Sequence, residues 1–98
     1  MPEIDVHCRP IAAGWVCDVT IREGVSSSAH TVTVATEDLA RLVPGATDPT
    51  ELVRVSFIFL LERESKESIL RAFDLPVIER YFPGYGASIR SRIIRPDV

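Results

Sequence analysis

The stretch Asp48-Pro49-Thr50-Glu51-Leu52-Val53-Arg54-Val55-Ser56-Phe57-Ile58-Phe59-Leu60-Leu61 carries both the clearest helix start and the densest apolar run of the chain. Asp48 can cap, Pro49 suits the first helical position, and the Glu51 carboxylate can reach back to the cap N–H. The spacing predicts a helix from Asp48 to Glu64. Projected at about 100° per residue, Leu52, Val53, Ser56, Phe57 and Leu60 centre on one face, with Val55, Phe59 and Leu61 on its shoulders. Only Glu51, Arg54, Glu62 and Ser65 form a polar stripe, so other elements should surround this helix on most of its circumference. Ile58 interrupts that stripe between Arg54 and Glu62, where a monomer would prefer a charged residue.

Upstream, Glu3 to Arg9 alternates, with Ile4, Val6 and Cys8 on one side and Glu3, Asp5, His7 and Arg9 on the other. Such alternation is the mark of a half-buried strand. Trp15 to Arg22 repeats it with Trp15, Cys17, Val19 and Ile21 inward, and His30, Val32 and Val34 continue it beyond a polar loop from Gly24 to Ala29. Inward sets must face each other. The first turn then places Cys8 opposite Cys17, Val6 opposite Val19 and Ile4 opposite Ile21. The second places Ile21 opposite Val32 and Glu23 opposite His30.

Thr36 caps a short helix through Leu39, Leu42 and Val43, ended by Pro44-Gly45. Beyond the central helix, Ser65 caps a helix over Lys66 to Phe73 with Ile69, Leu70 and Phe73 inward. Asp74 caps another, with Pro76 in its first turn and Val77, Ile78, Tyr81 and Phe82 apolar. Ala87 to Val98, with Ile89, Ile93 and Ile94 among arginines, reads as a late strand or a loosely held tail. The fold class is α+β: a three-stranded antiparallel meander of order 1-2-3, packed on one face by three to four helices. Residues 1–98 read as one domain, with 86–98 a flexible or exchanged tail.

With 98 residues the chain can close one core without staples. The net charge of −3 is unevenly divided: residues 1–48 hold three Arg against seven acids, and residues 49–98 hold eight basic residues against seven. That total argues against a general nucleic-acid footprint, leaving a local basic tail at Arg90, Arg92 and Arg95. The longest uninterrupted apolar run, Phe57 to Leu61, is far short of a membrane span, and no export leader is visible. A cytoplasmic location is the expectation.

The wording of His30-Thr31-Val32-Thr33-Val34, Pro49-Thr50-Glu51-Leu52-Val53-Arg54, Ser56-Phe57-Ile58-Phe59-Leu60-Leu61-Glu62-Arg63-Glu64 and Ser68-Ile69-Leu70-Arg71-Ala72-Phe73-Asp74-Leu75 resembles a recurring type of small bacterial protein. In that type a strand pair runs into such a helical segment and closes on Val77-Ile78-Glu79-Arg80-Tyr81-Phe82-Pro83. The resemblance covers roughly residues 15–85, brings no functional residue with it, and ends before the tail.

Candidate chemistry is sparse. Cys8, Cys17, His7 and His30 are the only soft ligands, but His7 lies on the opposite strand face from the cysteines and no close Cys pair can nucleate a zinc site. Both cysteines therefore read as reduced core residues beside Trp15. Ser26, Ser27 and Ser28 lie near His30 without a nucleophile elbow or an ordered acid partner. The helices expected over Ser65 to Phe82 imitate a helix-turn-helix, yet the second offers only Glu79 and Arg80 as polar reach. No catalytic residue, cofactor or metal is assigned.

The reading is a non-enzymatic binding or regulatory module for a protein partner, with an arginine-based nucleic-acid regulator and a small enzyme as alternatives. Its candidate interface is Ile58, Tyr81, Phe82, Tyr85, Ile89 and Ile93. These apolar residues are hard to hide in one compact chain, which favours a symmetric homodimer. The competing account has the tail folding back over Ile58 within one chain.

Overall fold

The computed structural model describes residues 2–93. Helix Thr50–Leu61, the central element, is entered by Asp48, whose carboxylate accepts the Thr50 N–H at 2.7 Å. The Thr50 side-chain hydroxyl, with this backbone N–H second, holds the Asp48 carboxyl below the usual carboxylate range. Glu51 does not reach back to the cap but pairs with Arg54. The helix buries Leu52, Val53, Val55, Ser56, Phe57, Phe59 and Leu60, the face and shoulders expected of it. It stops at Leu61, where the apolar repeat gives way to Glu62-Arg63-Glu64-Ser65, and Arg63 lays its guanidinium over the Phe59 ring at 3.7 Å.

This helix lies behind a sheet of four strands in the order β1-β2-β3-β4. The strands are β1 (Glu3–Ile11), β2 (Gly14–Glu23), β3 (Ser26–Ala35) and β4 (Ala72–Asp74). The fold is α+β as expected, but the sheet is mixed rather than a three-stranded antiparallel meander. Strands β1 to β3 form the antiparallel meander, and β4 adds parallel to β3.

The first hairpin has the expected register, with Cys8 opposite Cys17, Val6 opposite Val19 and Ile4 opposite Ile21. In the second, Ile21 faces Ser28 and Val19 faces His30, four residues away from expectation. Only Gly24 and Val25 turn the chain. Gly24 adopts φ +62° at the first central position, the conformation a type II′ hairpin requires there. Ser26 to Ala29 are thereby strand rather than loop. The slip is even, so it leaves the inward face unchanged.

Cys8 and Cys17 are joined by a disulfide, which corrects the expectation of reduced thiols. Their directly opposed positions bring the Cα atoms to 3.9 Å, and the bridge ties β1 to β2 beneath the helical layer.

Helix α1 (Thr36–Leu42) begins one residue earlier than a Thr36 cap would allow, because the Asp38 carboxylate accepts the Ala35 N–H at 3.2 Å. The central helix is α2. The expected helix over Lys66 to Phe73 is absent: a single 3-10 turn, Lys66–Ser68, leads into β4. From Ile69 the chain turns its odd-numbered positions Ile69, Phe73 and Leu75 towards the core, and the period of two wins because β3 offers an open edge to pair with. Helix α3 (Val77–Tyr81) follows Pro76, and Asp74 lies in β4 instead of capping it.

The region from Tyr85 is neither strand nor loose tail but helix α4 (Tyr85–Ile93), packed on α2. Tyr85 and Ile89 are fully buried, one turn apart on one face. The Tyr85 hydroxyl meets the Ser56 hydroxyl at 2.6 Å, and Ser56 donates to the Leu52 carbonyl at 2.7 Å. Arg92 pairs with Glu62 at 2.6 Å, and this partner holds the Glu62 carboxyl below its usual range. The expected Ile94 and Arg95 contributions lie outside the described residues.

Burial pushes the Tyr85 hydroxyl well above the ordinary tyrosine range, outweighing the opposing effect of its hydrogen bond with Ser56. A raised folded-state pKa contributes stability that is fully present below the unfolded value of about 10 and is lost as pH rises beyond it. Tyrosinate absorbance followed with circular dichroism should therefore show Tyr85 ionising only as the fold is lost. Ionisation of both tyrosines with the dichroism intact contradicts it.

Candidate functional site

The residues singled out in the sequence separate into three environments. Tyr85 and Ile89 are core, and Ile93 packs against it. They form no surface patch. Ile58 is 39% exposed and lines a shallow cleft with Pro2, Ile4 and Leu61, so α4 does not cover it. Tyr81, 68% exposed, and half-buried Phe82 line a different cleft, of about 250 Å³.

That second cleft lies between the end of α2, β4 and α3, and its walls are largely apolar: Leu60, Leu70, Phe73, Val77 and Tyr81. Its location follows from the chain's turn into β4. Phe73 turns inward towards Phe57, ring centroids 6.1 Å apart, while Leu70 remains 49% exposed at the rim. One charge faces the cleft. Glu64 is half-buried on its wall and has no ion pair or side-chain hydrogen bond among the described residues.

The cleft adjoins an open sheet edge. Strand β3 uses the Arg71 carbonyl, which accepts the Thr31 N–H at 2.7 Å, and the Leu75 N–H, which donates to Thr33 at 2.9 Å. Backbone direction alternates along a strand, so the N–H and C=O of Ala72 and Asp74 point away from β3. Both residues are exposed. At the other edge, β1 carries Glu3, Asp5, His7, Arg9 and Pro10, the charges and proline that blunt an edge.

A polar pocket of about 330 Å³ opens on the other side of Ile69 and includes Ser28, His30, Lys66 and Arg71. His30 is buried against Phe57, with ring centroids 5.4 Å apart. Its Nδ1 lies 2.8 Å from the Leu70 carbonyl oxygen and its Nε2 lies 2.8 Å from the Ser28 Oγ. Lys66, also buried, places its ammonium 2.8 Å from Glu67 and 3.3 Å from Glu23. Glu67 is the main cause of a raised Lys66 pKa, which burial opposes.

The helix-turn-helix imitation is not realised, since its first helix is the 3-10 turn and β4. Arg63 and Arg92 are engaged within the chain by Phe59 and Glu62, and Arg90 by the Gly86 carbonyl. Cys8 and Cys17 are committed to each other, and no group of three or more His, Cys, Asp or Glu among the described residues could hold a metal ion. No helix among these residues is long and apolar enough to cross a membrane.

Comparison with protein-family models, with curated proteins and with solved structures gave no significant match. The site is therefore read from geometry alone. Of the residues singled out in the sequence, Tyr81 and Phe82 line this cleft, whereas Leu70, Phe73 and the open edge were not singled out; the alternation of Ile69, Phe73 and Leu75 was the signal for them. Sequence reasoning also missed the pairing of Ser28 with His30, which spacing of two on one strand would have given had Ser26 to Ser28 been read as strand.

Proposed function

We propose that the chain is a binding module that captures an extended peptide segment along the open edge of β4. The observation that carries this reading is the adjacency to the apolar cleft of backbone groups at Ala72 and Asp74 that have no partner among the described residues. In strand addition the main-chain hydrogen bonds supply affinity, and alternate side chains entering pockets supply selectivity. The cleft takes one large apolar side chain, stacked on Tyr81 and Phe73. The unpartnered Glu64 on its wall favours a basic residue next to that anchor.

Fluorescence anisotropy with a labelled synthetic peptide of about seven residues, β-branched around a central Phe-Lys pair, tests the proposal. Binding should be weakened about tenfold by Tyr81→Ala, as for an interface anchor contributing about 1–2 kcal/mol. Ala72→Pro should weaken it further, because proline there deletes an outward donor and leaves the pairing with β3 in place. Glu64→Gln should erase the preference for Lys over Glu beside the anchor. Equal affinity in all three variants refutes strand addition at this edge. Self-association that competes with the peptide would make a second copy of the chain the occupant instead.

The homodimer expected through Ile58 has less to rest on. Tyr85, Ile89 and Ile93, which were to share that surface, are packed within the chain, and a single exposed isoleucine is ordinary for a monomer.

A further inference from the structure

The pairing of Ser28 with His30 is not used by the peptide-binding reading and does not depend on it. The Leu70 carbonyl can only accept a hydrogen bond, so His30 Nδ1 must carry the proton that fills the 2.8 Å contact. In the neutral ring Nε2 is then the bare nitrogen, and the Ser28 hydroxyl donates to it at 2.8 Å. Burial of the imidazole against Phe57 fixes the ring, and spacing of two along β3 puts both side chains on one face. The Ser28 hydroxyl, unlike His30, is only half-buried and sits on the wall of the polar pocket.

A hydroxyl on the free nitrogen of an imidazole whose other nitrogen is held by a third group is the arrangement that activates a nucleophile. We propose that Ser28 and His30 form a nucleophile and base that accept an acyl group from small carboxylic esters entering this pocket. The charged residues lining the same pocket are Lys66, Glu67 and Arg71. Lys66 has three N–H donors, of which Glu67 and Glu23 engage two, and Arg71 has no ion pair among the described residues. Arg71, the cation of this lining that no carboxylate pairs with among the described residues, favours an ester whose acyl part carries an anionic group.

The Ser28 oxygen bonds to the acyl carbon as its proton passes to His30 Nε2. The tetrahedral intermediate then collapses, the carbon–oxygen bond to the alcohol breaks, and the leaving alcohol takes the proton from Nε2. Water, deprotonated by the same nitrogen, later adds to the acyl carbon; the bond to Ser28 Oγ breaks as Oγ takes the proton back from Nε2, and the carboxylic acid is released. A backbone carbonyl holds the His30 tautomer as a carboxylate would, but it adds no charge to stabilise the imidazolium. Turnover is accordingly slow, and with an activated ester, whose alcohol leaves more readily than Ser28 does, acylated Ser28 accumulates.

Incubation of the oxidised, folded protein with p-nitrophenyl acetate tests this, with nitrophenolate release read by absorbance and the acetyl group located by peptide mass spectrometry. A burst approaching one equivalent is expected, with the acetyl group on Ser28. Ser28→Ala should abolish the burst, and His30→Gln, which preserves a donor towards Leu70, should slow acylation about 100-fold or more. A fluorophosphonate probe should label Ser28 and be blocked by prior acetylation. Absence of a burst in the folded wild type, or acetyl groups found only on lysine or tyrosine, overturns the proposal. So does a burst that survives Ser28→Ala.

Discussion

Phe57→Ala is expected to destabilise the protein by about 3–5 kcal/mol, the range for truncating a buried aromatic side chain. Phe57 is fully buried and is where the layers meet: its ring lies against His30 of β3 and Phe73 of β4. The neighbours cannot close the gap easily. His30 is held by Leu70 and Ser28, and Phe73 is fixed by the pairing of β4. Urea unfolding of the variant is the check, and a loss below about 1 kcal/mol would mean the core is centred elsewhere.

Reduction of the Cys8–Cys17 bridge is expected to lower stability by about 2.5–3 kcal/mol. A cross-link over a sequence separation of nine removes about that much loop-closure entropy from the unfolded chain. The two strands keep their hydrogen bonds, and the outer-face ion pairs Arg9–Asp18 and Arg22–Asp5 persist, so the hairpin should survive without the bridge. Urea midpoints of oxidised and reduced protein give the difference. Thiol titration of unfolded, unreduced protein should find no free thiol. Two free thiols there, with no change of midpoint on adding reductant, would contradict a structural role.

What could be read from the sequence and what could not follow from how each segment is held. The α2 helix was legible because apolar residues fall on almost every side of it, which only a central element tolerates. The first hairpin was legible because a tight turn between Ile11 and Gly14 sets Cys8, Val6 and Ile4 against Cys17, Val19 and Ile21. The second was misread because Ser26-Ser27-Ser28 has loop composition, while its conformation was decided by one left-handed glycine and by ten residues of β2 needing a partner.

Residues 66–75 carry apolar spacings that fit a helix at Ile69, Leu70 and Phe73 and a strand at Ile69, Phe73 and Leu75. The unpaired edge of β3, which no local pattern reveals, settled it as a strand. Helix α4 was hidden by Gly86 and its arginines. Its one polar trace in the central helix is Ser56 at the centre of an apolar face, whose hydroxyl bonds the Leu52 carbonyl and also meets the buried Tyr85 hydroxyl. The candidate site inherits these misreadings, since the cleft, the open edge and the His30 pocket all depend on where residues 66–75 run.

Amide hydrogen exchange at β4, measured residue by residue with and without the saturating Phe-Lys peptide, tests the binding edge most directly. In the free protein the Phe73 and Leu75 amides, turned towards β3, should be protected while those of Ala72 and Asp74 exchange freely. With peptide bound, Ala72 and Asp74 should become protected as well. Protection of Ala72 and Asp74 in the free protein, or exchange there that the bound peptide leaves unchanged, would contradict strand addition at β4.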